Sequence, residues 1–343
     1  GAHLVICDPF GKVIALDPAS GRERWSMDPQ IDKTPYAGRF KCKGVAYWAD
    51  SAAAAGTACS HRLFLATADK RLIAMDARDG RRCAGFGVNG EVNVDTLIKA
   101  TCPADGVELT QLASPPTAIN GVVAVSGFAN KFRSSSSVNG AMRGFDARTG
   151  ALKWWHQVSP ADHMDLDIAA APLLFRDSRV RDLLVISGKD GYVTAVDRDT
   201  KQRVYRTPVT TVLPPPEKIT PEGVKVCPGF AGGVEWNGPA LDPVNRQLVV
   251  GAVDVCFILR LGKTEYSPGA VSFGGTVEPV GDTTGWITAL DAESGAVRWK
   301  YHAEKPVIAA ITPTAGGITF AGDLAGNLLV FDNGGSSGYG FAS

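Results

Sequence analysis

GWITALDAESGAVRWK, residues 285–300, carries the pattern that decides the fold. An apolar strand runs up to Asp291, a short polar turn closes on Gly295, and a second strand carries Trp299. An Asp side chain accepts hydrogen bonds from backbone N–H groups two residues on, and Gly supplies the positive φ of a tight turn. The segment therefore predicts a β-hairpin. The pattern recurs in GKVIALDPASGRERW (residues 11–25), KRLIAMDARDGRRCAGF (70–86), GAMRGFDARTGALKWW (140–155) and GYVTAVDRDTKQRVYR (191–206), and GNLLVFDNGG (326–335) begins in the same way. The repeated carboxylates are Asp17, Asp76, Asp146, Asp197, Asp291 and Asp332. A turn at residues 242–246 before an apolar strand hints at a further unit.

A lone hairpin cannot bury enough surface to be stable, so repetition at this spacing predicts radial stacking of sheets. The expectation is an all-β chain: a β-propeller of four-stranded antiparallel blades, six to seven of them recognisable, with residues 1–343 as one domain. The repeated Asp residues are turn formers, and Trp25, Trp154 and Trp299 are expected to lie flat between one sheet and the next. Long loops are expected at residues 32–60, 92–112 and 209–233, where binding and chemistry concentrate on a rigid scaffold.

Lys plus Arg and Asp plus Glu are equal at 35 each, so no field attracts nucleic acid or anionic lipid, and a small partner is favoured. The apolar stretches are about a strand long, against the roughly 20 residues of a membrane helix, so no transmembrane segment is expected. The first residues lack the charged and apolar regions of a secretory leader, which predicts a chain that is either cytoplasmic or already processed. Cysteine bears on the choice. Cys42 and Cys59, Cys83 and Cys102, and Cys227 and Cys256 fall into sequential pairs, with Cys7 left as a buried thiol. Disulfides would place the chain in an oxidising compartment, and seven unlinked thiols are the alternative. No cysteine spacing suits zinc or haem, no GxGxxG opens a helix after a strand, and no GxSxG elbow occurs. His156 and His163 are read as ordinary hydrogen-bonding residues.

Other segments are more specific than the repeats. They are CKGVAYW (residues 42–48), ASPPTAINGVVAVSG (113–127), KWWHQVSPADHMDLDIAAAP (153–172), ISGKDGYVTAVDR (186–198), GGVEWNGPALDP (232–243) and ITPTAGGITFAGDLAGNLLVFD (311–332). Together with the Trp-bearing repeats, they resemble the pyrroloquinoline quinone (PQQ)-dependent alcohol and sugar dehydrogenases, whose propellers have eight blades. The resemblance implies an oxidoreductase that takes hydride from an alcohol, polyol or sugar onto PQQ and passes electrons to a separate cytochrome c or membrane quinone. It implies a periplasmic or otherwise extracytoplasmic location. Position by position, it puts Asp165 of DHMDLD at the catalytic carboxylate that takes the hydroxyl proton, and Lys189 of SGKDG at the quinone-contacting cation. Trp236, Glu235 and Ser114 become cofactor contacts, Glu235 standing where many relatives carry Asn. Calcium, or another divalent or lanthanide ion, would be held by Asp165 with Asn130, because the family's blade with a WSP…GN motif is not in this sequence. A non-catalytic propeller with the same repeats, scaffolding protein assembly, is the alternative class of function.

Overall fold

The computed structural model of the chain describes residues 3–32, 40–94, 109–112, 114–129, 141–157, 164, 166–262, 275–334 and 338–341. The described residues form two compact units, one up to residue 157 and the other from residue 164 onward. Six antiparallel sheets lie among them, three in each unit.

In the first unit, β1 (Leu4–Cys7), β2 (Val13–Leu16) and β3 (Glu23–Met27) make a three-stranded sheet. The next sheet is a four-stranded meander of β4 (Val45–Ala49), β5 (His61–Ala66), β6 (Arg71–Asp76) and β7 (Glu91–Asn93). The third comprises β8 (Leu109–Leu112), β9 (Thr117–Ile119), β10 (Val122–Ala129), β11 (Ala141–Asp146) and β12 (Leu152–Gln157), with β8 and β9 both pairing β10. Val13 of the first sheet packs with Leu63, Leu65, Ile73 and Met75 of the second. Phe64, Leu72 and Phe86 of the second meet Val123, Val125 and Phe145 of the third. Each such side chain contributes about 1.5–3 kcal/mol by leaving water.

The second unit opens with β13 (Leu173–Arg176), β14 (Asp182–Ser187), β15 (Tyr192–Asp197) and β16 (Arg203–Pro208) in sequential order. Its second sheet holds β17 (Val224–Val226), β18 (Pro239–Asp242), the long strands β19 (Gln247–Leu261) and β20 (Gly275–Asp291), and β21 (Val297–Ala303). β22 (Thr312–Pro313), β23 (Ile318–Gly322), β24 (Leu328–Asp332) and β25 (Gly338–Phe341) make the last. The turn at Asp242 joins β18 to β19 within the sheet that also carries Asp291, so it opens no separate unit.

The turn chemistry is as expected at every repeat. Asp17, Asp76, Asp146, Asp197, Asp291 and Asp332 each accept a hydrogen bond from the backbone N–H two residues on, at 2.6–3.1 Å. Asp242 does the same for Val244. Trp25 reaches the turn of the neighbouring sheet, where a Cβ on Gly80 would lie 2.6 Å from its ring. Trp299 stacks on Phe331 of the next sheet at 5.6 Å between centroids. Trp154 lies against Gly144 of its own sheet. In the sheet of β13 to β16, Tyr205 takes the stapling place, its hydroxyl donating to the Ala292 carbonyl and its ring lying on Gly295.

Each of the three expected loops carries a strand, β4 within residues 32–60, β8 at the end of residues 92–112 and β17 within residues 209–233. The cysteines are linked differently from the sequential scheme: Cys7 joins Cys42, Cys59 joins Cys83, and only Cys227 with Cys256 pairs as expected. Cys7 is therefore no free thiol, and Cys102 lies outside the described residues. Partner choice follows which turns and strands stand side by side, which chain order does not reveal. No helix among the described residues is long and apolar enough to cross a membrane.

Candidate cofactor site

The turn Gly188–Lys189–Asp190–Gly191 joins β14 to β15, with the Gly191 N–H closing onto the Gly188 carbonyl at 3.1 Å. Its shape is held from all sides. Gly191 has φ +78°, and a Cβ there would press on Thr210, Val212 and Pro228 at 2.8–3.0 Å. Asp190 is buried and takes Arg206 at 3.0 Å, while the Arg206 guanidinium lies 3.4 Å above the Tyr192 ring. An adjacent turn residue is thus fixed by a charge-assisted bond and a cation–π contact, leaving little freedom for the backbone that carries Lys189.

Lys189 itself points into the unit. Its Nζ lies 2.9 Å from Oδ1 of Asp167, and the two side chains are only 12% and 6% exposed. Its backbone N–H also donates to the Asp167 carbonyl at 3.3 Å. Asp167 follows Met164 and Leu166, which pack with Val226, Val253, Val255, Phe257 and Leu259 from β17 and β19. The outer half of β19 therefore packs against Met164 and Leu166, just ahead of Asp167 in the chain.

A third segment completes the arrangement. The Val234 N–H donates to the Gly188 carbonyl at 3.0 Å, and Gly233 exchanges two hydrogen bonds with Val253. Gly233 must be glycine: its φ is +76°, and a Cβ would lie 2.8 Å from the Gly188 oxygen and from the Lys189 Cα. This close approach sets Glu235 and Trp236 directly after the lysine turn. Glu235 is buried, whereas Trp236 is 53% exposed, an unusual state for so large an apolar ring.

The second unit thus brings together three of the expected residues, Lys189, Glu235 and Trp236. Ser114 belongs to the first unit, where it is buried and its hydroxyl oxygen accepts the Ser126 N–H at 2.8 Å. Asp165 and Asn130 lie outside the described residues. Asp167, the partner of Lys189, is a residue that sequence reasoning passes over, although it stands in the same DHMDLD stretch.

PQQ is a flat aromatic quinone bearing three carboxylates. It calls for a fixed cation, hydrogen-bond donors and a ring to lie against. The ammonium of Lys189, with three donors on one fixed turn, and the exposed ring of Trp236 suit those needs. Among the described residues, no three His, Cys, Asp or Glu side chains converge as a metal site.

The fold finds close company among solved structures. A europium-containing methanol dehydrogenase superposes with a TM-score of 0.67 over 99% of this chain and 76% of that one, at 18% identity. The quinohemoprotein alcohol dehydrogenase from Comamonas testosteroni gives 0.66 over 98% of this chain and 65% of that one, at 15% identity. These place the chain in the β-propeller class. In sequence, residues 1–163 match the family described as "PQQ: Glucose/ethanol/alcohol dehydrogenase, beta-propeller domain". The glycerol dehydrogenase large subunit of Gluconobacter oxydans (strain 621H) is 33% identical over 166 residues, 48% of this chain and 22% of that protein. Quinoprotein glucose dehydrogenase A of Acinetobacter calcoaceticus is 30% identical over 173 residues, 47% of this chain and 21% of that protein. Over its first 163 residues the chain is thus similar to the PQQ-dependent, or quinoprotein, dehydrogenases. The matched stretch spans about a fifth of these curated relatives' length, and Lys189, Glu235 and Trp236 come after the residues that the family match covers.

Proposed function

We propose that this chain binds PQQ and catalyses the oxidation of an alcohol, polyol or sugar, with a cytochrome c or membrane quinone as the separate electron acceptor. The observation that carries the reading is the buried Lys189 turn held by backbone hydrogen bonds against the segment that presents Trp236. When bound, PQQ supplies the two-electron acceptor that no side chain can provide. Trp236 gives the flat cofactor an aromatic face, and Lys189 directs N–H groups at an oxygen on which charge develops. Asp165 accepts the hydroxyl proton of the substrate. Its neighbours in the chain, Met164 and Leu166, pack with the apolar side chains of β17 and β19. A calcium or lanthanide ion held by Asp165 belongs to the same proposal.

The three disulfides support an extracytoplasmic location, since such links persist in oxidising compartments. A scaffolding role is the less favoured reading, because the relatives in sequence are named as dehydrogenases. Titration of the purified protein with PQQ, at several calcium concentrations and followed by quenching of tryptophan fluorescence, tests the reading. The expected result is stoichiometric binding that Trp236→Ala and Lys189→Met each weaken by about tenfold or more, the order of a lost charged hydrogen bond or ring contact. Absence of PQQ binding at every calcium level would turn the assignment toward a scaffold.

A further inference from the structure

The Lys189–Asp167 pair says more about how the lysine is managed. A cation poised for an anionic cofactor must reside somewhere when the cofactor is away, and a lysine stem has enough rotamer freedom to swing into water. Here Nζ is instead drawn inward onto Oδ1 of Asp167 at 2.9 Å, with both side chains nearly sequestered from solvent. The backbone repeats the link, Lys189 N–H to Asp167 carbonyl, so the two residues are tied at both ends. Gly188 is packed tightly as well, since a Cβ there would lie 3.1 Å from the Asp167 oxygen. The next residue, Asp190, is pinned by Arg206 on the other side of the turn. The lysine backbone is therefore held on both sides, and its head group rests on the Asp167 carboxylate.

We infer that Asp167 is a positioning residue: the resident counter-ion that holds Lys189 in the free protein and aims its ammonium at the quinone, without itself touching substrate. The inference rests on the reading of Lys189 as a cofactor contact. Its physical signature is a split. Removing the carboxylate charge takes this counter-ion from a nearly buried cation, so the free protein loses stability. The same change releases the lysine to pair with a cofactor carboxylate, so PQQ binds more tightly. It binds less productively, because the ammonium no longer points where charge develops.

The test uses Asp167→Asn, Asp167→Glu, Lys189→Met and the double variant Asp167→Asn/Lys189→Met. It reads thermal unfolding without cofactor, PQQ affinity, and dye-linked turnover of the loaded protein. Asp167→Asn is expected to lower the melting temperature and turnover while tightening PQQ binding about fivefold or more, the order of one charged contact. Asp167→Glu is expected to recover most of the turnover. In the Lys189→Met background, Asp167→Asn is expected to change PQQ affinity less than about twofold, because the two residues act as one unit. Equal effects of Asp167→Asn with and without Lys189, or parallel losses of affinity and turnover restored by added calcium, would overturn the inference and assign Asp167 to another partner. A wild-type protein that does not bind PQQ at all would instead remove the functional reading on which the inference stands.

Discussion

Replacing Gly80 with alanine tests how neighbouring sheets of the first unit are joined. Gly80 closes the repeat turn after Asp76 with φ +74°, and its Cα faces the Trp25 ring of the adjacent sheet. Two costs arise. A Cβ at positive φ costs about 1–2 kcal/mol. That Cβ would also lie 2.6, 2.9 and 3.2 Å from three ring carbons, so the indole must retreat by about 1 Å, an overpacking cost of about 1–3 kcal/mol. The total is about 2–5 kcal/mol. Gly21 is the internal control: it closes the equivalent turn with φ +69° and has nothing within 4 Å of an added Cβ, so Gly21→Ala carries the backbone cost alone. Urea unfolding of the two variants, with the m-value checked for constancy, gives the difference directly. In a Trp25→Ala background the penalty at Gly80 is expected to fall to that at Gly21. Equal losses for Gly80→Ala and Gly21→Ala in the wild-type background would refute the stapling role of Trp25.

Two further outcomes follow from the same sheets. Arg78 beside Asp76 holds its carboxyl down at about 2, against an ordinary 3.8. A lowered carboxyl adds stability that is complete above the ordinary value and is lost as the pH falls through the lowered one. The difference in unfolding free energy between pH 5 and pH 2 should therefore shrink by about 1–2 kcal/mol in Asp76→Asn, the exposed Arg78 end being partly screened. An unchanged acid limb would remove this role. The Cys59–Cys83 link spans 24 residues, so the Cys59→Ser/Cys83→Ser variant should lose about 3 kcal/mol, measured by denaturant unfolding under non-reducing conditions. A loss below about 1 kcal/mol would show that the unfolded chain is not constrained by that link.

Much of the architecture is legible in the sequence because it is written locally. Each repeat Asp needs only the next few residues to form its turn, so the hairpins can be read off one at a time. The stapling residue is partly legible: Trp25 and Trp299 announce themselves, whereas Tyr205 occupies the same register in GYVTAVDRDTKQRVYR and goes unnoticed without the tryptophan. The Lys201 that stands where sister repeats have Gly adopts the same left-handed conformation, φ +63°, so position matters more than residue type. The disulfides are legible only in part, since Cys7 with Cys42 and Cys59 with Cys83 depend on which segments the sheets bring side by side. At the candidate site, Lys189 and Trp236 stand out by resemblance. Their physical link does not, because it runs through Gly233, a residue whose tight approach to the Lys189 backbone leaves no mark in the sequence beyond a second glycine. Asp167 is overshadowed by Asp165, although only a lysine 22 positions later reveals what the second carboxylate meets.

Dye-linked oxidation of a panel of alcohols, polyols and sugars by the PQQ-loaded protein, run side by side with Asp165→Asn, tests the central claim most directly. The expected result is turnover on at least one substrate class, lost by about a hundredfold or more in Asp165→Asn while PQQ remains bound, as follows from removal of a general base. Stoichiometric PQQ with no turnover on any member of the panel, or turnover that Asp165→Asn leaves intact, would contradict it.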